Sequence, residues 1–143
     1  MASEHDLAEQ LLRRAGEDEA AAKAMLPIGD VADVIVCFHA QQAVEKALKA
    51  VLVARGAEFA LRHDLRVLIG QCERAGLQLP EKLAEVDLLS PYAAELRYDD
   101  DTVSAVERET ALSWATAAIQ WARQQIESHE RAKDSISDTA GPQ

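Results

Sequence analysis

One segment, residues 38 to 50, constrains the fold of this chain more than any other. It reads Phe-His-Ala-Gln-Gln-Ala-Val-Glu-Lys-Ala-Leu-Lys-Ala, so as a helix it is apolar around much of its circumference. Such a helix has to lie near the centre of a helical domain, because little of its surface suits water. Its few polar side chains therefore need partners or a function. They are His39, Gln41, Gln42, Glu45, Lys46 and Lys49.

The composition fits a helical core around this segment. A chain of 143 residues forms one domain with room for a core. Since 48% of the residues are hydrophobic and only 4% are aromatic, that core has to be built from Leu, Val, Ile and Ala. An alanine-rich, aromatic-poor core favours close helix packing over sheets.

Apolar periodicity predicts five helices and no strand of useful length. Ser3 and Asp64 are natural N-caps, and Gly56 is a natural helix stop. We expect an all-α, antiparallel up-and-down bundle over residues 1–128, followed by a disordered tail over residues 129–143. The five helices are expected at about residues 3–26, 30–55, 64–76, 80–98 and 101–128.

The net charge and the cysteine content limit the classes of function that this chain can have. The net charge of −10 argues against bulk attraction to DNA or to an anionic membrane. Between His39 and Arg66, however, bases outnumber acids, and a local cationic patch can hold a phosphate. Cys37 and Cys72 lie in apolar settings and are expected to be reduced core thiols. The scattered histidines predict no metal or cofactor, and the lack of a signal peptide or apolar span predicts a cytoplasmic protein.

Three pieces of the sequence, taken in order, resemble the HEPN family of helical domains associated with nucleotides and RNA. They are residues 38–49, the His63-Asp64-Leu65 sequence, and Tyr92 with Arg97-Tyr98. The resemblance covers about residues 8 to 127. It implies a HEPN-like bundle that forms a homodimer, and it links the chain to nucleotide binding. Such domains are often encoded beside a minimal nucleotidyltransferase that acts as partner or antitoxin.

Many HEPN proteins are metal-independent ribonucleases with an Arg followed, after four to six residues, by a His. The Arg clamps a phosphate and the His moves the 2′-hydroxyl proton. Here Arg97 takes the Arg position, but residues 98 to 104 contain no His and the next one is His129. The resemblance therefore favours a non-catalytic nucleotide-binding or interaction module, which pairs with a nucleotidyltransferase in a toxin–antitoxin-like system. A ribonuclease toxin and a purely structural interaction module are the alternatives.

The expected phosphate site combines charge placement with the resemblance. Arg97, together with Lys46 or Lys49, is expected to meet the phosphate, and Tyr98 or His39 to orient the ligand. A packing histidine and a helix-end arginine are the structural alternatives for His39 and Arg97. Structural roles are expected for the remaining polar residues, Gln41, Gln42, Glu45, His63 and Asp64.

Overall fold

The computed structural model of the protein describes residues 3–57, 64–93 and 106–139, with side chains described as far as residue 136. These residues form four α-helices and two 3-10 segments, and none of them lies in a strand. The predicted all-α fold is confirmed. The helices are α1 (Glu4–Met25), α2 (Asp33–Ala54), α3 (Leu65–Arg74) and α4 (Arg108–Thr139), and the 3-10 segments are Glu81–Leu83 and Val86–Ala93.

Local sequence signals fix most of the helix ends. The Oγ of Ser3 accepts the backbone N–H of Asp6 at 3.1 Å while the Asp6 carboxylate accepts the N–H of Ser3, which forms a capping box for α1. Asp64 caps α3 by accepting the N–H of Arg66 at 3.0 Å. Gly56 follows the end of α2 with φ +70°, a left-handed conformation that glycine adopts without a Cβ clash.

Helix α2 is the central element, as residues 38 to 50 predict. It packs against α1 on one side and α4 on another, and the second 3-10 segment and α3 cover further parts of it. The core side of α2 is formed by small and aliphatic residues, which allow the neighbouring helices to approach closely. Trp114 and Trp121 of α4 are both buried, and the indole N–H of Trp121 donates to the carbonyl of Gln78 at 3.1 Å.

The predicted fourth helix, over about residues 80–98, is not one continuous α-helix in its described part, residues 80–93. The chain instead forms two 3-10 segments, whose hydrogen bonds join residues three apart. Examples are the Leu83 N–H to the Pro80 carbonyl at 2.9 Å and the Leu88 N–H to the Glu85 carbonyl at 3.0 Å. Pro91 lies inside the second segment, where it has no N–H to donate and its ring disfavours a continuous α-helix. Apolar spacing alone does not distinguish an α-helix from a 3-10 helix, because both helix types bury a side chain every three or four residues.

Helices α1 and α4 run in opposite directions. Arg108, at the start of α4, contacts the carbonyl of Met25 at the end of α1, while Glu130 late in α4 lies 3.4 Å from His5 at the start of α1. Helix α4 continues to Thr139, so residues 129–139 are helical where a disordered tail was expected. Where the domain itself ends stays a prediction. No helix in the described ranges has both the length and the apolar character needed to cross a membrane.

Candidate functional site

One strip of the central helix is not fully covered by its neighbours. His39, Gln42, Lys46 and Lys49 are each partly exposed, as are the apolar Phe38 and Val53 at the two ends of the strip. The other α2 residues between positions 38 and 53 are buried. A spacing of three or four residues places the four polar side chains one above another on the same helix face. We call this strip the α2 ridge. It contains three of the five residues that the sequence predicts for a phosphate site.

At one edge of the α2 ridge, a carboxylate from α1 contacts two of its members. Asp18 Oδ1 lies 3.0 Å from Nδ1 of His39, and Asp18 Oδ2 lies 2.5 Å from Nζ of Lys46. Because an ionised carboxylate only accepts hydrogen bonds, Nδ1 of His39 carries the proton and Nε2 is left for another contact. The carboxylate is 14% exposed, and the side chains of His39 and Lys46 are 30% and 25% exposed.

At the other edge, the polar side chains of α2 form a connected network. The amide of Gln42 donates to Oε1 of Gln41 at 2.7 Å, and the amide of Gln41 donates to Oε1 of Glu45 at 3.0 Å. Lys49 then donates to Oε2 of Glu45 at 2.9 Å. Gln41, Glu45 and Lys49 take part in further interactions as well. Each buried amide therefore has the partner that the low surrounding dielectric requires.

The Glu45–Lys49 pair is more deeply buried than an ordinary pair on a helix surface. Only 4% of the Glu45 side chain and 13% of the Lys49 side chain are exposed. An exposed pair at this spacing contributes only a few tenths of a kcal/mol. A buried pair instead has a large desolvation cost, which its Coulomb attraction and hydrogen bonds must offset. Removing either charge alone is therefore expected to be strongly destabilising.

Arg108, which the sequence analysis did not single out, holds the connection between α1 and α2. Its guanidinium donates to the carbonyls of Met25, Leu26, Ile28 and Val31, and its Nε lies 2.6 Å from Oδ1 of Asp33. The Arg108 side chain is only 12% exposed. Its positive charge also complements the negative end of the α1 dipole. This contact fixes where α4 begins relative to α2.

The peptide of Val106, just before α4, is held from two directions. Its N–H donates to the Tyr92 hydroxyl at 3.1 Å, and its carbonyl accepts the thiol of Cys37 at 3.4 Å. Burial raises the pKa of the Cys37 thiol to about 11, so the group stays protonated and can donate. Cys72 is also buried and unpaired, and burial raises its pKa to about 12. The prediction of reduced core thiols is confirmed.

Three of the predicted polar residues, His63, Arg97 and Tyr98, lie outside the described residues. Their assignment to the site stays a prediction. Asp64 is described, and it caps α3 while also accepting the Ser90 hydroxyl at 3.5 Å. In the described part of the chain, no group of three or more His, Cys, Asp or Glu side chains is arranged to hold a metal ion.

Comparison with known proteins agrees with the all-helical fold. The family model described as the HEPN domain matches residues 8–126. The chain belongs to the HEPN family. A solved HEPN structure, the crystal structure of TT1696 from Thermus thermophilus, is 28% identical in sequence with a TM-score of 0.67. The match covers 82% of this chain and 97% of that one. No curated protein matches.

The sequence analysis of this HEPN domain did not identify two residues that organise the site and its surroundings, Arg108 and Asp18. The reasons differ. The sequence gives a weak indication for Arg108, because a basic residue at the first position of a helix opposes the helix dipole and needs an external partner. It gives no indication for Asp18. It lies among other acidic residues of α1, far in sequence from His39 and Lys46, and only the packing of α1 on α2 brings the three together.

Proposed function

We propose that this HEPN domain is a non-catalytic module that binds the phosphates of a nucleotide at the α2 ridge. The gathering of His39, Lys46 and Lys49 on a partly exposed face of the central helix carries the proposal. Lysines three residues apart on a helix are neighbours, so one phosphate group can contact both ammonium groups. Arg97 and Tyr98 are proposed as further ligand contacts, on the strength of the family resemblance alone.

The charge balance of the α2 ridge predicts modest affinity. Lys46 lies against Asp18 and Lys49 against Glu45, so each ammonium group is already compensated by a carboxylate. A bound phosphate would have to compete with these carboxylates or share the ammonium groups with them. These carboxylates also hold the two lysine side chains in place, which lowers the entropic cost of ordering them around a ligand.

The absence of a histidine soon after Arg97 supports a non-catalytic role. No His follows Arg97 within the next seven residues. His129 lies on α4 about 30 Å along the helix from Arg108, at about 1.5 Å per residue. It is therefore far from the end of α4 at which the Arg97 segment joins the helix. Without the histidine of the ribonuclease motif, cleavage through the 2′-hydroxyl lacks the general base on which HEPN ribonucleases depend.

Calorimetric titration of ATP and of GTP into the purified protein tests the proposal. Binding should be weakened severalfold in Lys46→Met and in Lys49→Met. Lys133→Met provides a matched control, because it removes the same charge from the exposed end of α4. No heat at millimolar nucleotide would reject the proposal. Incubation with RNA, which should remain intact, separates this module from the ribonuclease alternative.

We also propose that the module forms a homodimer and pairs with a minimal nucleotidyltransferase. HEPN domains often dimerise, and the sequence contains no nucleotidyltransferase motif of its own. Light scattering after size-exclusion chromatography measures the oligomeric state. Co-expression with the nucleotidyltransferase of a neighbouring reading frame should give a complex that survives purification, and separate elution of the two proteins would reject the pairing.

A further inference from the structure

The carboxylate of Asp18 lies where an anionic ligand of the α2 ridge would have to bind. Its two oxygens contact Nδ1 of His39 at 3.0 Å and Nζ of Lys46 at 2.5 Å. A phosphate bound to these donors would present two oxygens in the same way, because carboxylate and phosphate can each accept two N–H groups through a pair of oxygens. The Asp18 carboxylate thus occupies the position that an external anion would take.

Asp18 cannot leave this position by a movement of the main chain alone. It lies well inside α1, and α1 has its most extensive packing contacts with α2. Rotation of the Asp18 side chain or of the flexible Lys46 side chain is needed to separate the carboxylate from the ammonium group. A tethered competitor of this kind acts at a high effective concentration, on the order of millimolar or above. An external anion therefore binds less tightly than the two donors would allow alone.

We propose that Asp18 is an internal competitor for phosphate at the His39–Lys46 end of the α2 ridge and limits its affinity for phosphate-bearing ligands. This inference rests on the proposed function, because it assigns to Asp18 the control of that same site. Neutralising the Asp18 carboxylate leaves Lys46 available to an anion and removes a like charge from beside the bound phosphate. The affinity for phosphate compounds then rises instead of falling.

Calorimetric titration with pyrophosphate in the presence of EDTA tests the inference. Asp18→Asn keeps the size of the side chain and removes its charge, and Asp18→Ala provides a second form. Both should bind pyrophosphate at least about tenfold more tightly than the unaltered protein, as expected for a charge removed a few ångströms from the anion. Circular dichroism melts establish that each variant is folded.

The matched control is Asp87→Asn. Asp87 lies 3.2 Å from Arg66, so its replacement removes one negative charge and releases one cation at a different place. Equal gains in Asp18→Asn and Asp87→Asn would overturn the inference, because they would reflect net charge alone. No gain in either Asp18 variant would overturn it as well. Adding Lys46→Met to Asp18→Asn should abolish the gain, and a gain that persists would place the anion elsewhere and reject the site.

Titration of ATP separates this inference from the proposed function. If the unaltered protein binds ATP but the Asp18 variants gain nothing for pyrophosphate, the proposed function stands and the inference fails. If ATP produces no heat with the unaltered protein but Asp18→Asn gains affinity for pyrophosphate, the inference stands and nucleotide binding as the function of the protein fails.

Discussion

Replacing Arg108 with alanine should destabilise the protein strongly, although Arg108 lies outside the proposed ligand site. Its guanidinium donates to four carbonyls of the α1–α2 connection and contacts Asp33. The carbonyls of Met25 and Leu26 belong to the end of α1, where no further helical N–H is available to pair with them. The Met25 carbonyl also accepts the N–H of Ile28 at 3.0 Å, so alanine would leave it one partner. The Leu26 carbonyl would be left to water.

The magnitude follows from the geometry. Nη1 is shared among three carbonyls at 3.2 Å, so its bonds are weaker than three separate linear bonds. We therefore count the whole cluster as about two net charge-assisted hydrogen bonds, at about 1.5 kcal/mol each. The contact with Asp33 adds little, because the Asp33 side chain is 68% exposed. The expected loss in the free energy of unfolding is about 3 kcal/mol.

Thermal and urea unfolding followed by circular dichroism measure this loss. For a domain of this size, about 3 kcal/mol corresponds to a fall of roughly 10 °C in Tm. Arg108→Lys keeps the charge but cannot reach several carbonyls in one plane, so about half of the loss should remain. Arg66→Ala is the control. The Arg66 side chain, which pairs with Asp87, is 81% exposed, so its removal should change stability by less than about 0.5 kcal/mol.

One result would refute the reasoning about Arg108. If Arg108→Ala lowers stability no more than Arg66→Ala does, water replaces the guanidinium at no cost and the carbonyl cluster does not hold α4 in place. If Arg108→Lys equals the unaltered protein, the charge alone matters and the planar arrangement of donors does not.

Three further predictions concern the buried ion pair, the two cysteines and the turn after α2. Lys49→Met should cost about 3 kcal/mol, because Glu45 loses its buried cation; a loss below about 1 kcal/mol in a urea titration would contradict this. Cys37 and Cys72 should react with a thiol reagent at about pH 8 only after unfolding. Since burial raises their pKa to about 11 and 12, their contribution to stability is fully present below about pH 9 and is lost as pH rises through those values, because only the unfolded thiols ionise there. Unfolding curves recorded between about pH 8 and pH 11, compared with those of the Cys-to-Ala variants, measure this loss. Gly56→Ala should cost about 1 kcal/mol because φ is +70°, and an unchanged Tm would show that the turn relaxes.

Local signals predicted the parts of the fold that depend on neighbouring residues. The capping box at Ser3, the cap at Asp64 and the stop at Gly56 were all recognised, because each acts within about four residues of its own position. The burial of α2 was also predictable, since apolar side chains surround most of its circumference. The 3-10 segments were not, because Pro91 and the packing around it decide between helix types whose apolar spacing is similar.

Only part of the candidate site could be predicted from the sequence. The helical repeat alone places His39, Lys46 and Lys49 on one face of α2, and it identifies Gln41 as an amide that needs a partner. Nothing in the repeat shows that Lys49 and Glu45 are buried together, nor that Gln41 and Gln42 join them in one network. Burial depends on which neighbouring elements cover that face.

The sequence by itself determined that this chain is all-helical with α2 at its centre, because helical periodicity and end capping are local properties of the chain. Its membership of the HEPN family rests instead on the resemblance of its motifs and on the matching family model. Only the tertiary structure decided which carboxylate neutralises which cation. Asp18 meets His39 and Lys46, and Arg108 reaches Asp33, across long stretches of sequence. Such pairs depend on the angle and rotation at which two helices pack, and those are set by the fit of their whole apolar surfaces.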